Sequence, residues 1–144
     1  MCTMMKRGCN ILENKTFPYK GTPAYDRMKS FLSSYMPCKA ACDMYEAESD
    51  ADLINKVERE YRHAFYLECK QRCRSIEDFI ASVDLDRDEK QLFFLHYIKG
   101  LTIENASEKM YVSRSTVFRI NKRAEYKSLM RFISLEGAGK KNIS

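Results

Sequence analysis

The chain has 144 residues, 44% hydrophobic and 31% charged, with 25 Lys and Arg against 20 Asp and Glu. That length predicts one compact unit plus tails, and the composition places it among globular rather than disordered chains. Only 5 Gly and 3 Pro are present, too little turn chemistry for a sandwich or barrel, so an all-α fold is expected.

In chain order, residues 1–21 carry Lys6, Arg7, Pro18 and Gly21 with no sustained period and are expected to form a flexible N-terminus. No apolar stretch of signal-peptide length follows Met1. The longest aliphatic-aromatic run, Leu92-Phe93-Phe94-Leu95, is far below the roughly 20 residues that span a bilayer. No membrane association is therefore expected, and a cytoplasmic location is. Thr22-Pro23 predicts a helix start, a cap followed by proline at the first helical position. Tyr25, Met28, Leu32, Tyr35 and Met36 recur behind it on one helical face. Pro37 is expected to end or kink that helix, with Cys38–Tyr45 a short helix of its own or the start of the next.

From Asp50 to Cys73, dense charge surrounds a thin stripe of Ile54, Val57, Tyr61, Phe65 and Cys69. So narrow a stripe calls for a partner helix, as a hairpin within the chain or as a coiled coil with a second copy, and a homodimer is one expectation. Residues 22–75 thus predict a helical arm used for packing or oligomerisation. Ser75 with Asp78 resembles a capping box and predicts a fresh helix start, carrying Ile76, Phe79, Ile80 and Val83. The acidic run Asp84–Glu89 then supplies a linker and the negative first turn that a helix N-terminus favours.

Residues 76–136 predict a trihelical unit. A helix over Lys90–Lys99 ends at Gly100, Thr102 caps a short helix through Met110, and Ser113 caps a third helix expected to run to about Leu135. Residues 137–144 are expected as a disordered tail. Two short helices joined by about three residues read as a helix-turn-helix, with Met110, Val112, Val117 and Ile120 as its small core and Ser107 at the helix crossing. Between 113 and 131 there are six cations (Arg114, Arg119, Lys122, Arg123, Lys127, Arg131) against Glu125, a balance of +5, whereas 84–108 carries −3. The positive surplus sits on the one helix that would enter a major groove, and it predicts salt-dependent binding to phosphates. With Val117 and Ile120 inward, Arg114, Ser115, Phe118 and Arg119 face out near the helix start and are the expected base contacts. Thr102, Ser113, Lys122 and Arg123 are the expected phosphate contacts.

The segment Asp88–Arg123, with Tyr97-Ile98-Lys99-Gly100-Leu101-Thr102-Ile103-Glu104 and Ser113-Arg114-Ser115-Thr116-Val117-Phe118-Arg119, resembles the helix-turn-helix with which sigma factors read the −35 promoter element. It is more similar to the sigma-like ArpU/RinA-type regulators of phages and prophages. His96, the Ala106-Ser107 pair and Tyr111 depart from that pattern, the last standing where the family carries Gly or Asn in the turn. The resemblance implies a sequence-specific regulator of transcription, an activator of phage or prophage genes in a bacterial host. Its partners would be double-stranded DNA and RNA polymerase. Two alternatives stand beside it: a small-terminase-like protein that recognises a packaging site, and a sigma mimic that binds polymerase without DNA.

Six cysteines occur, at 2, 9, 38, 42, 69 and 73, and without an export signal they are expected as reduced thiols. Cys38 with Cys42, and Cys69 with Cys73, are each one helical turn apart. If their helices pack antiparallel, the four sulfurs could converge on zinc, while the ordinary role of such residues is as small apolar core positions. No cofactor is expected. No nucleophile, base or paired-carboxylate set has supporting context, so no enzymatic activity is expected either.

Overall fold

A computed structural model describes residues 19–48 and 55–143, and every regular element among them is a helix. The fold is all-α. In chain order the elements are α1 (Pro23–Ser33), α2 (Tyr35–Ala47), α3 (Lys56–Ser82), α4 (Arg87–Phe93) passing into a π-helical turn (Phe94–Ile98), α5 (Ile103–Met110) and α6 (Arg114–Ile143). No helix among these residues is long and apolar enough to cross a membrane.

The first cap forms as its residues dictate: Thr22 Oγ1 accepts the Tyr25 N–H at 3.2 Å, with Pro23 opening α1. Ser34 alone separates α1 from α2. Pro37 does not end a helix here; it lies in the first turn of α2, where a missing N–H costs no intrahelical bond. α2 and α3 form an antiparallel hairpin. Its contacts descend in step from Tyr35 Oη, donating to Glu77 at 2.6 Å, through Cys42 Sγ, donating to the Tyr66 carbonyl at 3.9 Å, to the Glu48–Arg62 ion pair.

Contrary to expectation, no helix starts at Ser75, because α3 runs unbroken from Lys56 to Ser82. Cys69, Cys73, Ile76 and Phe79 are all buried at spacings of four and three, so one continuous apolar stripe overrides a local capping signal. The cap forms instead at Asp86, which exchanges backbone and side-chain hydrogen bonds with Glu89 in a capping box.

The main core joins Met28 and Leu32 of α1, Ile76 and Phe79 of α3, Phe93 and Tyr97 of the fourth helix, and Ala124 and Leu129 of α6. It therefore crosses the boundary expected near residue 75. Fully buried side chains such as Met28, Leu32 and Ile76 contribute about 1.5–3 kcal/mol each. A second cluster of Leu92, Ala106, Val117 and Ile120, with Leu95, Ile103, Met110 and Val112 packed around it, holds α4, α5 and the start of α6 together. The fourth helix is thus buried on two faces, Leu92 and Leu95 toward α5 and α6, Phe93 and Tyr97 toward α1 and α3.

At its C-terminal end the chain departs from the expected tail: α6 continues through Gly137 to Ile143. Each glycine inside a helix costs only about 1 kcal/mol relative to Ala, and no proline follows to stop it. The flexible N-terminus expected for residues 1–21 lies outside the described residues up to residue 18. Residues 19–21 form a turn in which Tyr19 is buried. Ile54 of the polar-helix stripe and Ser144 also lie outside the described residues.

Candidate nucleic-acid interface

α5 and α6 are joined by Tyr111, Val112 and Ser113. The Tyr111 N–H donates to the Glu108 carbonyl at 3.2 Å and the Val112 N–H to the Ser107 carbonyl at 3.1 Å, closing α5. Tyr111 takes the left-handed conformation, φ 58° and ψ 43°, that glycine or asparagine usually occupies at such an end. Ala106 and Ser107 are buried where α5 meets α6. Ser107 fits there because its hydroxyl donates to the Glu104 carbonyl at 2.6 Å. The preceding helix ends at Gly100, with φ 81°. Through the π-turn, Lys99 N–H reaches the Phe94 carbonyl at 3.0 Å. His96 Nδ1 lies 2.7 Å from the Leu101 carbonyl.

This frame fixes what α6 presents outward. Val117 and Ile120 are buried, and Arg114, Ser115, Phe118, Arg119 and Lys122 are exposed along the opposite side. Ser113 Oγ accepts the Thr116 N–H at 3.1 Å and Thr102 Oγ1 accepts the Asn105 N–H at 3.0 Å. Both hydroxyls are thus engaged as caps. The remaining free N–H groups of each first turn point out of the helix ends, a favourable place for an anion.

The cations are not equivalent. Arg114 pairs with Glu104 at 3.3 Å and lies over the Phe118 ring at 5.9 Å. Arg123 Nε and Lys127 Nζ both reach the fully buried carboxylate of Glu89, at 3.2 and 2.7 Å. Arg123 also lies 3.7 Å from Asp86. The Glu89 carboxylate raises the Lys127 pKa by hydrogen bonding, against a smaller opposing effect of desolvation. Arg119 donates to Thr116 Oγ1 at 3.3 Å. Among the described residues Arg119, Lys122 and Arg131 make no ion pair. The +5 counted along this segment is therefore locally compensated at three positions. A shallow groove of about 400 Å³, lined by Tyr19, Arg119, Lys122, Arg123, Tyr126 and Lys127, flanks the exposed face.

Two carboxylates organise the back of the helix. Glu89 is one. The other, Glu125, is 2% exposed and accepts from Tyr19 Oη at 3.3 Å, Tyr25 Oη at 3.1 Å and Lys29 Nζ at 3.2 Å. In the charge count along the sequence Glu125 is only a lone anion among cations. Its place on the inward stripe of Val117, Ile120, Ala124 and Ser128 was the available signal. Nothing local in the sequence pairs Glu89 with residues 34 and 38 positions later.

The cysteines at 38, 42, 69 and 73 lie as free thiols in the α2–α3 hairpin, three of them buried. Burial, ahead of the Cys42 and Cys38 thiols and the Glu77 carboxylate, pushes Cys73 up to about 11. Among the described residues no group of three or more His, Cys, Asp or Glu side chains is placed to hold a metal ion. The zinc alternative thus gains no support from the geometry. No protein-family model, curated protein or solved structure matches the chain.

Proposed function

We propose that this chain binds double-stranded DNA sequence-specifically and regulates transcription, with the N-terminal half of α6 entering the major groove. One observation carries this reading. A short helix, a three-residue turn and a second helix pack Ala106, Val117 and Ile120 into one core with Leu92 of α4, and the second helix turns Arg114, Ser115, Phe118, Arg119 and Lys122 to solvent on a single face. Arginine at the start of such a helix can bond a guanine edge bidentately, and Phe118 can pack on a thymine methyl. Arg119 and Lys122 meet the duplex first, as the cations of this face without an ion pair among the described residues. Arg114 joins by exchanging Glu104 for a base or phosphate. Arg123, held by Glu89 yet half-exposed, positions α6 and remains within reach of the phosphate backbone.

The resemblance of residues 88–123 to sigma-like phage regulators supports activation of phage or prophage genes, with RNA polymerase as a protein partner. Direct titration of labelled duplex DNA at several salt concentrations tests the reading. The expected result is affinity that falls steeply with salt, with Lys122→Ala flattening the slope for all sequences. A chain that binds no duplex at low salt contradicts it.

A further inference from the structure

The α2–α3 hairpin ends in an apolar face that the rest of the described chain does not cover. Val57, Tyr61 and Phe65 lie at four-residue spacing along one side of α3 and are 75%, 74% and 51% exposed. Met44 of α2, 64% exposed, lines a groove together with Phe65. This groove of about 350 Å³ between the two helices, lined also by Ala41, Glu48 and Arg62 among others, continues the same surface. α2 cannot cover the stripe. It packs on the side of α3 that carries Tyr66, Cys69 and Cys73, and it ends at Ala47, opposite the region where Arg62 meets Glu48.

We propose that this face is a self-association surface and that its occupant is a second copy of this chain, related by a two-fold axis. Two observations select a copy over another partner. The charged rim is mixed in sign and paired on its own chain, Lys56 with Glu60 and Arg62 with Glu48. A neutral rim does not repel its own copy, and it offers nothing to phosphate or to a strongly charged protein. The area is also sufficient. Tyr61 and Phe65, at about 150–250 Å² per aromatic side chain and the exposed fractions given above, together with the smaller Val57 and Met44, expose on the order of 500 Å². Two such patches bury about 1,000 Å², the lower bound for a specific interface. An isologous pair places the same patch on both sides, so each substitution acts twice.

The inference stands independently of DNA binding. Its test is sedimentation velocity of the full chain over a wide concentration range, comparing the natural sequence with Tyr61→Glu, Val57→Glu and Tyr61→Phe. A reversible dimer is expected. Each glutamate substitution should raise the dissociation constant about tenfold or more, and Tyr61→Phe should leave it nearly unchanged. Both sites are solvent-exposed in the single chain, so far-ultraviolet circular dichroism should show unchanged helicity and separate lost association from lost folding. A strictly monomeric chain, a ring of higher order, or a Tyr61→Glu chain that dimerises as well as the natural one would each overturn the proposal.

Discussion

Lys29 of α1 donates to the buried carboxylate of Glu125 on α6 at 3.2 Å, and the same ammonium also donates to Tyr97 Oη at 2.7 Å. One cation thus ties the N-terminal helix to both the fourth helix and the back of the helix proposed to read DNA. Removing a single member of such a buried set leaves its partners without a counter-charge, which costs about 3–5 kcal/mol. Glu125→Ala is therefore expected to destabilise the fold by that amount in urea unfolding, and Glu125→Gln by less, because an amide still accepts from the tyrosines.

The same network predicts sensitivity to base. Burial, followed by the Glu125 charge, raises Tyr25 to about 12. Burial works against the Lys29 charge, but Tyr97 and Glu125 more than offset it and leave the Lys29 pKa raised. On unfolding, both groups return to their ordinary values near 10 and 10.5. Above pH about 10 the unfolded chain then holds fewer protons than the folded one, and stability falls as pH rises toward 12. Thermal melts across this range should show that decline, and Tyr25→Phe should make it shallower.

Arg123 and Lys122 are adjacent, yet their substitutions should separate cleanly. Arg123→Ala takes one of two cations from the buried Glu89 and should lower the melting temperature. Lys122→Ala, exposed and without an ion pair among the described residues, should leave the melting temperature unchanged. It should reduce the slope of log affinity against log salt by about 0.9. Melting curves and DNA titrations on both variants check the distinction.

Tyr111 is 95% exposed and holds φ at 58°, a conformation that costs an L-residue about 1–2 kcal/mol. Tyr111→Gly removes that cost at the price of a more flexible unfolded chain, so a net stabilisation of about 0.5–1 kcal/mol is expected. This corresponds to a rise of about 2–4 °C in melting temperature.

Much of this architecture was legible in the residues. The caps at Thr22, Thr102 and Ser113 and the stop at Gly100 are short-range chemistry, readable within a few positions. Ser75 and Pro37 misled because the same local signal has two outcomes. A serine three residues before an aspartate caps a helix only where the chain is free to start one, and around Ser75 the stripe of Cys73, Ile76 and Phe79 was already buried in phase. Proline ends a helix from its interior but is tolerated in a first turn. The ion pairs that separate Arg123 from Lys122 were not legible, because they depend on α4 crossing α6 and no local pattern encodes that crossing.

The proposed function turns on Arg119 reading base edges from the start of α6. Selection of bound sequences from a randomised duplex library at near-physiological salt, followed by sequencing, tests it most directly when done in parallel with Arg119→Ala. The natural chain should enrich a defined motif. The variant should lose about 1–3 kcal/mol of affinity for that motif and relax preference at one position within it. A motif retained unchanged by Arg119→Ala would contradict the docking, and salt-sensitive binding with no enrichment would contradict sequence reading itself and favour a packaging or polymerase-bound role.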